Sequence, residues 1–178
     1  MSLESTLKSI IREVPDFPIL GVLFKDISPI FLDPALIRDC VKELARPWQG
    51  KGITRILGIE SRGFLFGPAV AAELGAGFVI VRKAGKLPPE TKSISYSLEY
   101  GNATIEIVNG ALGRGDKVII HDDLLATGGT AAAAAKLAQS LKADICGFSF
   151  LIHLAFLNGE KNLLEFRSEC HSIVHYQN

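Results

Sequence analysis

Apolar positions in this chain recur at two spacings, and the change from one to the other marks out its elements. Leu3, Leu7, Ile10 and Ile11 share a helical face behind Ser2, a good capping residue, and the pattern stops at Pro15. A short leading helix is predicted there. The next segment, PDFPILGVLFKDISPIF, is rich in Pro, Gly and apolar residues but holds no sustained period, so it predicts an ordered hood rather than a regular element. Asp33-Pro34 then offers a cap with proline at the first helical position, and Leu36, Ile37, Cys40, Val41 and Leu44 supply the buried stripe of a helix ending near Gly50.

From there strands and helices alternate. TRILGIE reads as a strand, GFLFGPAVAAELG as a helix closed by Gly75, and GFVIVR as a second strand. SISYSLEYGNATIEIV holds two alternating runs that meet at Tyr-Gly-Asn, the pattern of a β-hairpin projecting from the sheet. KVIIHDD predicts another buried strand, TAAAAAKLAQSLKA a helix and ICGFSFLIHL a further strand. Apolar strands separated by helices imply an α/β fold with a mostly parallel central sheet, flanked by helices, whose ligands bind beyond the carboxyl ends of the strands. The expected organisation is one domain over residues 1–178, with a small N-terminal hood over about 1–34, a core over 35–178 and a flexible hairpin near 93–108.

The composition fits that picture. A length of 178 residues suits one core, and 48% apolar with 21% charged residues is globular. Lys plus Arg and Asp plus Glu both number 19, so no global field favours nucleic acid or an anionic membrane, and any anion site must be local. Cys40, Cys146 and Cys170 lack metal-site spacing and are odd in number, as expected of reduced thiols in a cytoplasmic protein. MSLESTLKSI does not read as a signal peptide, and the apolar stretch Ile145–Leu157 is too short to span a bilayer as a helix.

The candidate chemistry concentrates in residues 121–135, HDDLLATGGTAAAAA. A glycine turn after a strand brings backbone N–H groups close to a ligand, and the helix it opens adds roughly half a positive charge, so the turn suits a phosphate monoester. No lysine follows the glycines as in a nucleoside-triphosphate loop, and no GxGxxG occurs. Asp122 and Asp123 can accept hydrogen bonds from vicinal hydroxyls, which makes ribose 5-phosphate the matching ligand. The bland alternative is that the acids only cap the turn and the alanines serve helix propensity.

DDLLATGGT after an apolar strand resembles the phosphoribosyl-pyrophosphate signature of the type I phosphoribosyltransferases, and its LLATGGT form is similar to the adenine-specific members. GVLFKDISP, ESRGFLFG, VRKAGKLP and YSLEYG occur in the order that family shows, over roughly residues 15–140. The resemblance implies a pentosyltransferase of purine salvage that converts adenine and 5-phosphoribosyl 1-pyrophosphate to AMP and pyrophosphate. It implies Mg²⁺ bound mainly through the donor, with no dedicated protein metal site, and a homodimer.

The resemblance also distributes roles. Asp122 and Asp123 would hold the ribose hydroxyls, and Ala126, Thr127, Gly128, Gly129 and Thr130 the 5′-phosphate. Arg62 would reach the pyrophosphate, where its planar fork suits paired oxygens, rather than being a solvated loop arginine. Arg82, Lys83 and Lys86 would meet the same charge, Lys83 or Lys86 from its own or the neighbouring subunit. Leu23 carbonyl and Lys25 N–H would read the adenine edge with Phe24 against the ring. Glu99 would be the acid-base group and Tyr100 would exclude water; otherwise Glu99 is a solvent-facing strand residue. Lys25 stands where the family has Arg, and His121 where it has an aliphatic residue. His121 receives no role, and His171 and His175, about 13 Å apart in a strand, cannot share a metal. A sensor of the donor, or a nucleotide-binding scaffold, would keep the phosphate turn but need neither Glu99 nor the basic loop.

Overall fold

The computed structural model describes residues 2–97, 101–166 and 168–178. Helix α1 (Leu3–Ile10) starts at Ser2, whose side chain accepts the Ser5 N–H, and buries Leu7. It stops at Ile10 and not at Pro15, because Arg12–Pro15 is a strand, β1, paired antiparallel with β2 (Leu23–Asp26). Pro15 disfavours the helical region for Val14, and the extended segment finds a partner in Phe24. The hood therefore holds a regular ribbon that the sequence pattern does not predict, since two four-residue strands are too short to show a period. Helix α2 (Pro34–Ala45) is capped by Asp33, which accepts the N–H groups of Ala35 and Leu36, and runs on through a 3-10 turn to the buried Trp48.

The main sheet comprises β3 (Arg55–Ile59), β4 (Gly77–Lys83), β5 (Thr91–Ser97), β6 (Asn102–Val108), β7 (Lys117–Leu125), β8 (Asp144–Leu154) and β9 (Glu169–Tyr176). Its order is β5-β6-β4-β3-β7-β8-β9, parallel except for the β5–β6 hairpin. Only Arg82 and Lys83 of β4 pair with β6, so the hairpin joins the sheet at its base, as a projecting hairpin should. From β3 the chain passes through α3 (Gly63–Leu74) to β4 on one side, and later reaches β7 on the other. That reversal opens a crevice at the carboxyl ends of β3 and β7.

Two cores lie on opposite faces of the sheet. One packs α4 (Gly129–Ser140) over β7 and β8 through Ala131–Ala135, all buried, whose small side chains bring the helix close to the strands. The other packs α1, α2 and α3 around Leu44, Trp48, Phe66 and Ile119. α3 presses on the crevice itself: a Cβ at Gly63 would stand 2.9 Å from the His121 carbonyl oxygen. β7 continues to Leu125, two residues beyond its expected end, because β8 runs beside it and pairs Leu124 with Ile152 and Leu125 with His153. The three cysteines are free, and no helix among the described residues is long and apolar enough to cross a membrane.

Candidate active site at the strand ends

Asp122 and Asp123 stand in β7 where it borders the crevice, and Asp123 is only 3% exposed. Burial raises the pKa of both. The charge of Asp123 pushes Asp122 further up, well above the ordinary carboxylate range, while Arg62 opposes the rise at Asp123. The buried Asp123 and its half-buried neighbour Asp122 thus hold a proton unusually well, and both have oxygens suited to hydroxyl donors. The Asp123 N–H donates to Asp122 Oδ1 at 2.8 Å, which fixes one carboxylate against the strand.

Immediately beyond lies the turn Ala126–Thr130. Gly128 has φ +79° as the residue capping α4, and a Cβ there would overlap the Gly159 carbonyl oxygen. Only glycine fits both the left-handed backbone and that close approach. The Asn162 amide donates to the Thr127 carbonyl at 2.8 Å, and the Tyr96 and Thr130 hydroxyls meet at 3.0 Å. The turn encloses a hollow of about 100 Å³, and beside it a cleft of about 620 Å³ runs between Thr130, Tyr96 and Lys83.

Arg62 links this region to the hood. Its Nε lies 2.9 Å from Asp123 Oδ2 without the alignment of a hydrogen bond, its Nη1 donates to the Lys25 carbonyl at 3.2 Å, and its guanidinium sits 4.8 Å from the centre of the Phe24 ring. The Lys25 contact defines an edge. Within a strand the N–H and C=O of one residue point the same way, and residues two apart share that direction. Lys25 N–H and the Leu23 carbonyl therefore face the crevice with the Lys25 carbonyl that Arg62 occupies, an acceptor and a donor side by side. The Lys25 side chain turns away. It is 3% exposed, paired with Glu13 across the ribbon and 3.8 Å from the Tyr176 ring centre, so the lysine in place of arginine is firmly housed.

The basic loop is organised by two acids that motif reading passed over. Glu60, at the end of β3, accepts from Arg82 Nε at 2.8 Å, the Lys83 N–H at 2.9 Å and Lys86 Nζ at 3.1 Å. Burial alone would raise its pKa, yet these three donors hold it at about 2. Glu106 accepts the N–H groups of Gly85, Lys86 and Leu87 and the Thr91 hydroxyl. Arg82 is thereby committed to Glu60 and the Lys86 carbonyl, whereas the Lys83 side chain is exposed beside the cleft. The only hint of Glu60 in the sequence was its place beside Ser61 and Arg62. Glu99 and Tyr100 lie outside the described residues.

His121 is fully buried, and neither ring nitrogen has a hydrogen-bond partner among the described residues. Burial drives its pKa down to about 4, with the Ser149 main chain opposing. The imidazole is therefore neutral in the fold, while the unfolded chain takes up a proton near pH 6.5. Between about pH 6.5 and pH 4 the unfolded state binds more protons, so stability falls as pH falls, by about 3 kcal/mol across that window. Denaturant unfolding at pH 7 and pH 4 should show His121→Val losing this part of the acid sensitivity. Parallel profiles for the two proteins would remove His121 as its source. Among the described residues there is no group of three or more His, Cys, Asp and Glu side chains that could hold a metal ion.

Residues 33–162 match the family described as the phosphoribosyl transferase domain. An adenine phosphoribosyltransferase of Nitrosococcus oceani is 52% identical over 170 residues, spanning 96% of this chain and 98% of its own. The crystal structure of adenine phosphoribosyltransferase from Rhodothermus marinus superposes with a TM-score of 0.93 at 46% identity, over 98% of both chains. That of Trypanosoma brucei, in complex with AMP, pyrophosphate and ribose-5-phosphate, gives 0.87 at 27% identity over 98% of this chain and 80% of its own. With the carboxylate pair, the glycine turn and the hood edge in these positions, the chain belongs to the type I phosphoribosyltransferase family, among the adenine phosphoribosyltransferases.

Proposed function

We propose that this protein transfers the 5-phosphoribosyl group of 5-phosphoribosyl 1-pyrophosphate to adenine, forming AMP and pyrophosphate in purine salvage. The observation that carries the reading is the juxtaposition of the buried Asp123 and its partly buried neighbour Asp122 with a glycine-capped turn in one crevice. The turn binds the 5′-phosphate through Ala126–Thr130, and Asp122 and Asp123 accept from the ribose hydroxyls. Adenine's amino group donates to the Leu23 carbonyl and its N1 accepts from Lys25 N–H, with Phe24 against the ring. Hypoxanthine presents the opposite polarity at that edge.

Arg62 has five N–H donors, and two contacts leave others for pyrophosphate oxygens. Lys83 and Lys86 add positive charge there, in their own or a neighbouring active site of a homodimer, and Arg82 supports them through Glu60. Glu99 assists the proton leaving adenine's imidazole edge while Tyr100 keeps water from the ribosyl centre. Mg²⁺ belongs to the same reading. Asp122 and Asp123 have hard oxygens that could meet such an ion, and magnesium, which keeps waters, would be held largely by the donor's own oxygens. When bound there, it would offset charge on the departing pyrophosphate. We place the protein in the cytoplasm.

A base panel tests the reading. With the same donor and Mg²⁺, AMP should form from adenine far faster than IMP from hypoxanthine. Equal rates, or the reverse order, would remove the adenine assignment.

A further inference from the structure

Tyr96 belongs to the hairpin and Thr130 to the phosphate turn, yet their hydroxyls meet at 3.0 Å in a partly buried contact. Two polar groups 34 residues apart are thereby joined at the site's rim. A threonine hydroxyl has one proton to give and lone pairs to receive. When Thr130 donates to a phosphate oxygen, its oxygen is left as acceptor for Tyr96, whose hydroxyl has no other hydrogen-bond partner among the described residues. The bonds then run in one direction, from Tyr96 O–H to Thr130 Oγ1, and from Thr130 O–H to the phosphate. Tyr96 also lines both hollows flanking the contact, one of about 620 Å³ with Lys83 and one of about 320 Å³ against α4.

We propose that Tyr96 is a positioning residue that couples the occupied phosphate turn to strand β5 of the hairpin. Resting on the phosphoribosyl transfer proposed above, this assigns the tyrosine hydroxyl a positioning task. An empty turn leaves Thr130 free to rotate, so the hairpin is held by a bond of no fixed direction. A bound 5′-phosphate orients Thr130, fixes Tyr96 as donor and steadies β5 from the side of the ligand.

The test compares wild type with Tyr96→Phe, which keeps the ring. Ribose 5-phosphate binding by calorimetry should weaken about 3- to 10-fold, as for loss of one hydrogen bond, while KM for adenine and the melting temperature stay unchanged. Amide exchange of residues 91–97 should slow with ribose 5-phosphate in wild type and not in the variant. With Thr130→Val already in place, Tyr96→Phe should cost nothing more. Wild-type affinity and protection in Tyr96→Phe, or additive losses in the double variant, overturn the coupling. If wild type makes no AMP from adenine yet shows Tyr96-dependent binding and protection, the base assignment fails and the coupling stands; a wild type that binds no ribose 5-phosphate overturns both.

Discussion

Gly128→Val is expected to lose the 5′-phosphate ligands together, with ribose 5-phosphate and AMP each bound roughly 100-fold more weakly, on the order of 3 kcal/mol. Two independent penalties combine there. At φ +79° a β-branched residue is strained, and its Cβ would press on the Gly159 carbonyl oxygen, which belongs to backbone and cannot swing aside. The turn must open to admit the side chain, and its N–H groups then no longer converge. Calorimetric titration with both ligands reads the effect, and Gly128→Ala should give a smaller loss in the same direction. Unchanged affinity for both ligands would break the assignment of this turn to phosphate.

Glu99→Gln should lower turnover by roughly 10² to 10⁴ while donor binding survives. As the bond from C1 of ribose to adenine forms, the purine must shed a proton, and a carboxylate near its imidazole edge can accept it where an amide cannot. The ribosyl centre carries positive charge at that moment, so the same carboxylate also favours the reaction electrostatically. Steady-state kinetics should show kcat falling with KM for the donor nearly constant, and the acidic limb of the rate profile should disappear. Near-normal turnover would leave Glu99 only a structural part.

The alternation of apolar strands and helices was plain in the chain because each period runs through five or more residues, and β3, α3, β4, β7, α4 and β8 all fall within a few residues of where it placed them. The β1–β2 ribbon was not, since four residues beside two prolines show no period and their pairing is between segments. The acids and the glycine turn are contiguous, so local chemistry alone pointed to a ribose phosphate as their ligand. Glu60 and Glu106 act through partners about 20 residues away, and nothing in the neighbouring residues announces such contacts. His121 shows the same limit: its place before the acids was visible, but its complete burial depends on α3 closing over β7.

Arg62 touches the carbonyl of Lys25, in the ribbon proposed to read the base, and the carboxylate of Asp123, proposed to hold ribose, with one guanidinium. Whatever rearranges that side chain for one substrate changes what the other encounters. Equilibrium linkage then makes the influence mutual: the factor by which bound donor alters adenine affinity equals the factor by which adenine alters donor affinity. On the proposed assignments the two halves of the reaction would be in thermodynamic contact before any bond is broken, with a single arginine between them.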